Sequence, residues 1–318
     1  MLGWLMDLKF NSLPCQNTYN RSTNVYSYKK GIGLKGLSEK MKIILSRKGM
    51  DSSWGGHPGI ILPDNTLLYY PIPGDPDEDS YSDILGIDGV PMDIGMKRFY
   101  KDILYHDCWE EITSQTHCHM DPDLDYNAKK RSPGWRGAFG QADAAQTVLA
   151  NAGVGEGDLF LFFGWYQKCV LGENGKYYLQ KNSDVHCIYG YMEIDQVIYT
   201  KGNNDIPVWL MDHPHMLARR SERRSNCIYV GREKLSWNER QAGYGLLPYS
   251  KNRVLTKEGL TRSKWELPAF FREVSITYHS ANSWMKDYFQ SAYRGQEFVI
   301  DESPAVEAWA KKTIEEKA

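Results

Sequence analysis

Several things are missing from this 318-residue sequence, and each absence removes a class of protein. Its six cysteines (Cys15, Cys108, Cys118, Cys169, Cys187 and Cys227) show no CxxC spacing, which argues against a zinc ribbon and against a disulfide scaffold. Scattered cysteines of this kind fit a reducing, cytoplasmic setting. No run reaches the roughly 18 apolar residues of a membrane span. No charged, apolar and small-residue succession opens the chain as a secretory signal would. A soluble protein with no membrane partner is therefore expected. The GxxxxGK[ST] pattern of a Walker loop is absent, and so is the Gly and Glu spacing of an EF-hand. With a formal net charge of −2 there is no overall positive field for nucleic acid, so any basic surface must be local.

What the chain does have is aromatic rings: 13% of residues, with 21 Tyr and 10 Trp, enough to fill a core and still line a pocket or stack on bases. Residues 1–40 keep neither a period of two nor one of 3.6, and are expected to be a loosely ordered extension or non-native leader. Met41 then precedes a first strand, KIILS. The loop that follows, RKGMDSSWGGHPG, sets Arg47, Lys48, Asp51, Ser52 and Ser53 straight after a buried strand, where binding groups tend to sit. ILPDNTLLYYPIP reads as a hairpin turning at Pro63-Asp64-Asn65, GDPDEDSYSD as a solvated acidic loop, and Phe99–Ile112 as a helix. Gln141–Ala152 carries Ala142, Ala145, Val148, Leu149 and Ala152 on one helical face, with Gly153 as its cap. LFLFFGWY has no alternation, the mark of a strand covered on both sides. KYYLQ, HCIYGYMEI, NCIYVG and RGQEFVI continue a sheet, and AGYGLLPYSKNRVLT reads as loop. Ser303 and Pro304 open a C-terminal helix that buries Val306, Trp309, Ala310 and Ile314. The irregular alternation predicts an α+β fold: one domain over 41–318, on a mixed, largely antiparallel sheet with flanking helices.

The chemistry concentrates between His117 and Gln146. HMDPD places His119, Asp121 and Asp123 within five residues, followed by Arg131, Trp135 and Arg136. Side chains two apart in extended backbone point the same way, so His119 and Asp121 can converge on one ion. Together they supply two arms of the two-His, one-carboxylate set that holds iron(II) in non-haem oxygenases. The third arm must come from elsewhere: His215, His213, His279 or His186, in that order of preference. His213 and His215 flank Pro214 beside Asp212, a second ligand-like cluster. If 2-oxoglutarate is the co-substrate, its distal carboxylate needs a cation, and Arg136, Arg131 and Arg294 are the candidates. Without a metal, His119, Asp121 and Asp123 could still act as acid and base. Arg219, Arg220, Arg223 and Arg224 read as a solvated helix face.

In order and combination, KIILSRKGMDSSWGG, HMDPDL, SPGWRGAFGQADAAQ, GDLFLFFGWY, DHPH, TRSKWELPAFF, SITYH and RGQEFVID resemble the nucleotide modification associated domain of type three. The resemblance covers nearly all of 41–318 and implies a role in phage and bacterial base-modification systems, with a nucleotide or nucleic-acid substrate. Two functions follow. The first is a divalent-metal enzyme of nucleotide modification with iron(II), an oxygenase by its ligand set. In it Asp123, Arg131 and Arg136 assist the chemistry, and Arg47, Lys48, Asp51, Ser52, Ser53, Trp135 and Gln141 hold substrate. The second is a non-catalytic reader in which Trp54, Trp135 and Trp165 stack on bases while Arg47, Lys48, Arg131 and Arg136 hold phosphates. The first should gather two or more of the named histidines around Asp121; the second should show a continuous basic face.

Overall fold

The structure is a computed structural model and describes residues 41–52, 55–75, 78–100 and 113–316. The leader 1–40, Ser53, Trp54 and most of the helix expected over 99–112 lie outside the described residues. The chain forms the expected α+β fold, with four α-helices among the described residues around a large mixed sheet. The main path of the sheet runs Glu297–Ile300, Ile43–Arg47, Leu159–Leu171, Val185–Tyr199, Cys227–Gly231, Ala138–Gln141. Ile43–Arg47 and Gly59–Ile61 both run parallel to Leu159–Leu171, and the other pairings are antiparallel. The hairpin forms as its turn residues require: Ile60 and Ile61 pair with Leu68 and Leu67, and Asn65 takes a positive φ in the turn.

Leu159–Leu171 lies inside the sheet, and its sequence shows why it does not alternate. Leu159, Leu161 and Phe163 pack on one side with Ile43, Leu45 and the C-terminal helix residues Val306, Ala310 and Ile314. Phe160, Phe162 and Tyr166 pack on the other with Ile44, Phe139, Leu149 and Tyr229. Each fully buried ring contributes roughly 1.5–3 kcal/mol of transfer free energy, so both faces demand apolar residues. The sheet curls until its two edges meet. Gln141 Nε2 on one edge strand donates to Glu297 Oε1 on the other at 2.7 Å.

Several expectations need correction. Gln141 ends a strand, and the helix proper is Asp143–Asn151; Gln146 and Leu149 are its buried residues, and Gly153 closes it at φ +64°. Tyr244–Leu246, expected in a loop, is a strand added to Val185–Tyr199. Within the stretch expected as loop and helix before residue 113, the described helix is Met92–Phe99. Ser303 stands at the N-cap of Pro304–Glu315, yet its side chain makes no capping hydrogen bond.

His186 sits in the core against Phe163 and Trp265, its Nδ1 accepting from Trp265 Nε1 at 3.0 Å. Burial, then the nearby Arg47, holds its pKa well below the ordinary value, and burial brings His57 to about 4. Between the unfolded value near 6.5 and these lowered values the unfolded chain binds protons that the folded chain refuses. Stability is therefore intact above about pH 6.5 and falls as the pH drops below it. Chelator-treated protein should show a lower urea midpoint at pH 5 than at pH 7. An unchanged midpoint would contradict this burial.

Candidate metal centre

The centre is assembled from two short segments, 118–123 and 213–216, laid against the Ala138–Gln141 edge strand. Cys118–His119 pairs with Ile72–Pro73, and the backbone then turns so that Asp123 pairs with Ala138. This brings Asp121 beneath Gly140, whose N–H donates to Asp121 Oδ1 at 2.9 Å. Pro214 opens a short 3-10 turn, Pro214–Met216, and sets His213 and His215 on the same carboxylate. Asp121 Oδ2 lies 3.8 Å from His119 Nε2 and 3.6 Å from His215 Nε2, and Oδ1 lies 3.6 Å from His213 Nε2. Thus three of the five candidate histidines gather on Asp121. His186 and His279 do not: the first is the core histidine above, and the second bonds Thr277 and Ala292.

Hydrogen bonding separates the three imidazoles. Glu78 Oε2 accepts from His119 Nδ1 at 2.8 Å. Burial alone would raise the Glu78 carboxyl, but His119 and Arg220 hold it at about 2, so it is an acceptor. Asn226 Nδ2 donates to Thr200 Oγ1 at 2.8 Å and to the His215 carbonyl at 2.9 Å, which turns its Oδ1 toward His215 Nδ1 at 2.7 Å. Both Nδ1 atoms therefore carry the proton, and both Nε2 atoms keep lone pairs for Asp121's side of the site. Burial pushes His215 down to about 3, against the pull of Asp121, so its lone pair is free at neutral pH. His213 is the opposite case. Its Nδ1 accepts from the His215 N–H at 3.2 Å, so its proton is on Nε2, facing Asp121 Oδ1. Burial works to raise Asp121, but His213 and His215 more than offset it and hold the carboxyl below its usual range. His119 Nε2, Asp121 Oδ2 and His215 Nε2 can present lone pairs together, and donor atoms of these residues lie within 4.8 Å of one another. Ligands at about 2.1 Å on one face of an ion sit roughly 3 Å apart, so a small inward movement would suffice.

The acidic loop and the arginine run differ from expectation in a linked way. Glu78, expected in solvent, is buried, and Arg219 and Arg220 of the expected solvated face reach it, Arg220 at 2.7 Å. Arg219 and Arg220 also pair with Asp75, and Arg223 pairs with Asp143. Replacing Glu78 with Gln keeps the shape but removes the charge that orients His119. Metal affinity, read by chelator competition, is expected to fall about 10–100-fold, and unchanged affinity would contradict the role.

The other candidates have partners of their own. Arg131 grips both Asp123 oxygens, at 2.5 and 2.6 Å, so neither the expected acid–base carboxylate nor the expected carboxylate clamp is free. Arg136 pairs with Asp195 at 2.7 Å, and Arg294 is exposed. Arg47 donates to the Ala292 and Tyr293 carbonyls, and Lys48 pairs with the buried Glu297, so these two are structural where substrate contacts were expected. Gln141 is tied to the same Glu297, Ser52 accepts from Arg262, and Asp51 bridges by backbone to Gly55. Trp165 donates to Asp184 and lies under Arg262, while Trp135 lies under Arg131. Sequence reading missed Glu78, Asn226 and Gly140. Gly140 alone carried a signal, as a glycine inside a strand, which often marks close approach of another group.

A family model described as nucleotide modification associated domain 3 matches residues 42–301. No curated protein and no solved structure matches.

Proposed function

From a chain that belongs to the nucleotide modification associated domain 3 family, we propose a metal-dependent enzyme that modifies nucleotides or the bases of nucleic acid. The observation that carries this reading is the pair of Nε2 lone pairs set on Asp121 by Glu78 and Asn226. His119, Asp121 and His215 would hold a divalent ion of the iron(II) type, and such a set leaves positions open for oxygen, a co-substrate or substrate. The ion would supply oxygen activation. Glu78 and Asn226 fix the ring orientations, and the Gly140 N–H holds the other oxygen of Asp121, with His213 Nε2 3.6 Å from it. Of the arginines proposed for 2-oxoglutarate, Arg294 has no carboxylate partner among the described residues, whereas Arg131 and Arg136 are engaged. The reader alternative wants an unopposed basic face, but Arg219, Arg220 and Arg223 are each paired with acidic residues.

The test is product analysis. Protein loaded anaerobically with iron(II) is incubated in air with DNA, RNA or free nucleotides, with and without 2-oxoglutarate, and the nucleosides are analysed by mass. A new nucleoside that requires iron and is lost in Asp121→Ala supports the enzyme. No mass change on any substrate would count against it.

A further inference from the structure

The stretch 262–294 carries five cations against three carboxylates, in a chain whose net charge is −2. It folds into one surface lobe. Lys264–Trp265 pairs with Phe289–Gln290, the Ser291 N–H donates to the Ser263 carbonyl, and Trp284 bridges to Phe289. Arg47 ties the lobe to the sheet through the Ala292 and Tyr293 carbonyls. The cations here differ from those near the histidine cluster. Arg131, Arg219, Arg220 and Arg223 each hold a carboxylate, whereas Lys264, Arg272, Lys286 and Arg294 have no ion-pair partner among the described residues. Two of these four lie over aromatic rings instead, Arg272 at 4.5 Å from Trp284 and Lys264 at 5.2 Å from Tyr288. Arg272, Lys286 and Arg294 are exposed, so a phosphate can reach them without displacing a carboxylate.

Two tyrosines stand among these cations. Tyr293 is 84% exposed and Tyr278 is half-exposed. Tyr278 holds a φ of +65°, which a bulky residue adopts only where its surroundings enforce it, and such outliers gather at ligand-holding sites. Its ring lies over Gly295, where a Cβ would come 3.0 Å from Cδ2 and 3.1 Å from Cγ and Cε2. Phe298 meets the same ring edge-on at 6.1 Å. A ring ordered in advance loses little freedom when a base stacks on it. Stacking accepts any base, and phosphate contacts carry no sequence information, so exposed rings beside unopposed cations suit a single strand. The lobe also adjoins the proposed centre. Arg294 lies three residues before Glu297, which accepts from Gln141, the neighbour of the Gly140 that supports Asp121. We propose that this lobe binds single-stranded nucleic acid, with bases stacked on Tyr278 and Tyr293 and phosphates on Arg272, Lys286 and Arg294, so that the substrate is a polymer rather than a free nucleotide. That the bound strand is also modified rests on the metal-enzyme reading; the binding does not.

The test uses the full chain freed of metal by chelator, with a fluorescein-labelled single-stranded DNA 15-mer of mixed sequence and the RNA of the same sequence, followed by anisotropy. Unlabelled nucleoside monophosphates compete in a second arm. Wild type should bind a strand and keep it against a molar excess of the monophosphates. Tyr293→Ala and Tyr278→Asn, the second a residue that accepts a positive φ, are each expected to weaken binding by about 5-fold or more. Arg272→Glu combined with Lys286→Glu, at two exposed positions, should weaken it by about 10-fold or more and flatten its salt dependence. Iron uptake by these variants should match wild type, which separates the surface from the centre. The proposal is overturned by a wild type that binds neither strand, by full displacement with monophosphates, or by binding within twofold of wild type in both the double variant and Tyr293→Ala. Wild type that binds a strand but takes up no iron would instead overturn the metal-enzyme reading.

Discussion

Gly140→Ala is expected to abolish metal binding at the proposed centre, from a position with no functional side chain. A Cβ on Gly140 would lie 2.3 Å from Cγ and Cδ2 of His215, and 2.9 Å from its Cβ. Real contacts of this kind do not occur below 3.0 Å, so the imidazole or the edge strand must shift. His215 is not free to swing, because Asn226 holds Nδ1 and the carbonyl of the same residue. Displacement therefore moves Nε2 off Asp121 and disturbs the Gly140 N–H that supports Oδ1. Overpacking of this kind costs roughly 1–3 kcal/mol of stability, which a domain of this size should survive. Bound metal should drop by at least 100-fold in affinity while the circular dichroism stays native. Wild-type affinity in Gly140→Ala would show that the ring of His215 is not a ligand.

The second large effect lies at the meeting of the sheet edges. Lys48 Nζ lies 2.6 Å from Glu297 Oε1, with the Glu297 side chain wholly buried and its other oxygen without a hydrogen-bond partner. The Lys48 ammonium also stands 4.4 Å from the Phe139 ring, where the quadrupole favours a cation. Lys48→Met leaves an uncompensated carboxylate in the core and is expected to cost about 3–5 kcal/mol. Adding Glu297→Gln removes that charge, keeps an acceptor for Gln141, and should restore most of the loss. Urea unfolding of the two variants checks this. A single-variant cost below about 1 kcal/mol would mean that water reaches Glu297 and the pair is not sealed.

These two cases show what local sequence encodes and what it does not. The central strand, the Asn65 hairpin, the Asp143–Asn151 helix and the C-terminal helix were legible because periodicity and turn chemistry act over a few residues. His119, Asp121 and the His-Pro-His corner were visible as ligand-type residues at short spacing. Their convergence was not, because it depends on segments more than 90 residues apart folding onto one edge strand. Glu78 and Arg220 are separated by 142 residues; each alone looks like a solvated charge, and only the fold buries Glu78 and brings the half-buried Arg220 onto it, in support of His119. Arg47 and Lys48 erred the other way. Polar residues after a buried strand resemble a binding loop, but the curl of the sheet turns them inward onto carbonyls and Glu297.

His119, Asp121 and His215 are proposed to hold one ion, with His213 Nε2 3.6 Å from the other oxygen of Asp121. Iron stoichiometry and affinity, measured after anaerobic loading of untagged protein, test it across four variants. One ion per chain is expected in wild type, and none in His119→Ala, Asp121→Ala or His215→Ala. His213→Ala should still hold the ion, about 10–100-fold more weakly. Wild type that binds no iron, or a His213→Ala variant that loses it while His215→Ala keeps it, would contradict the assignment.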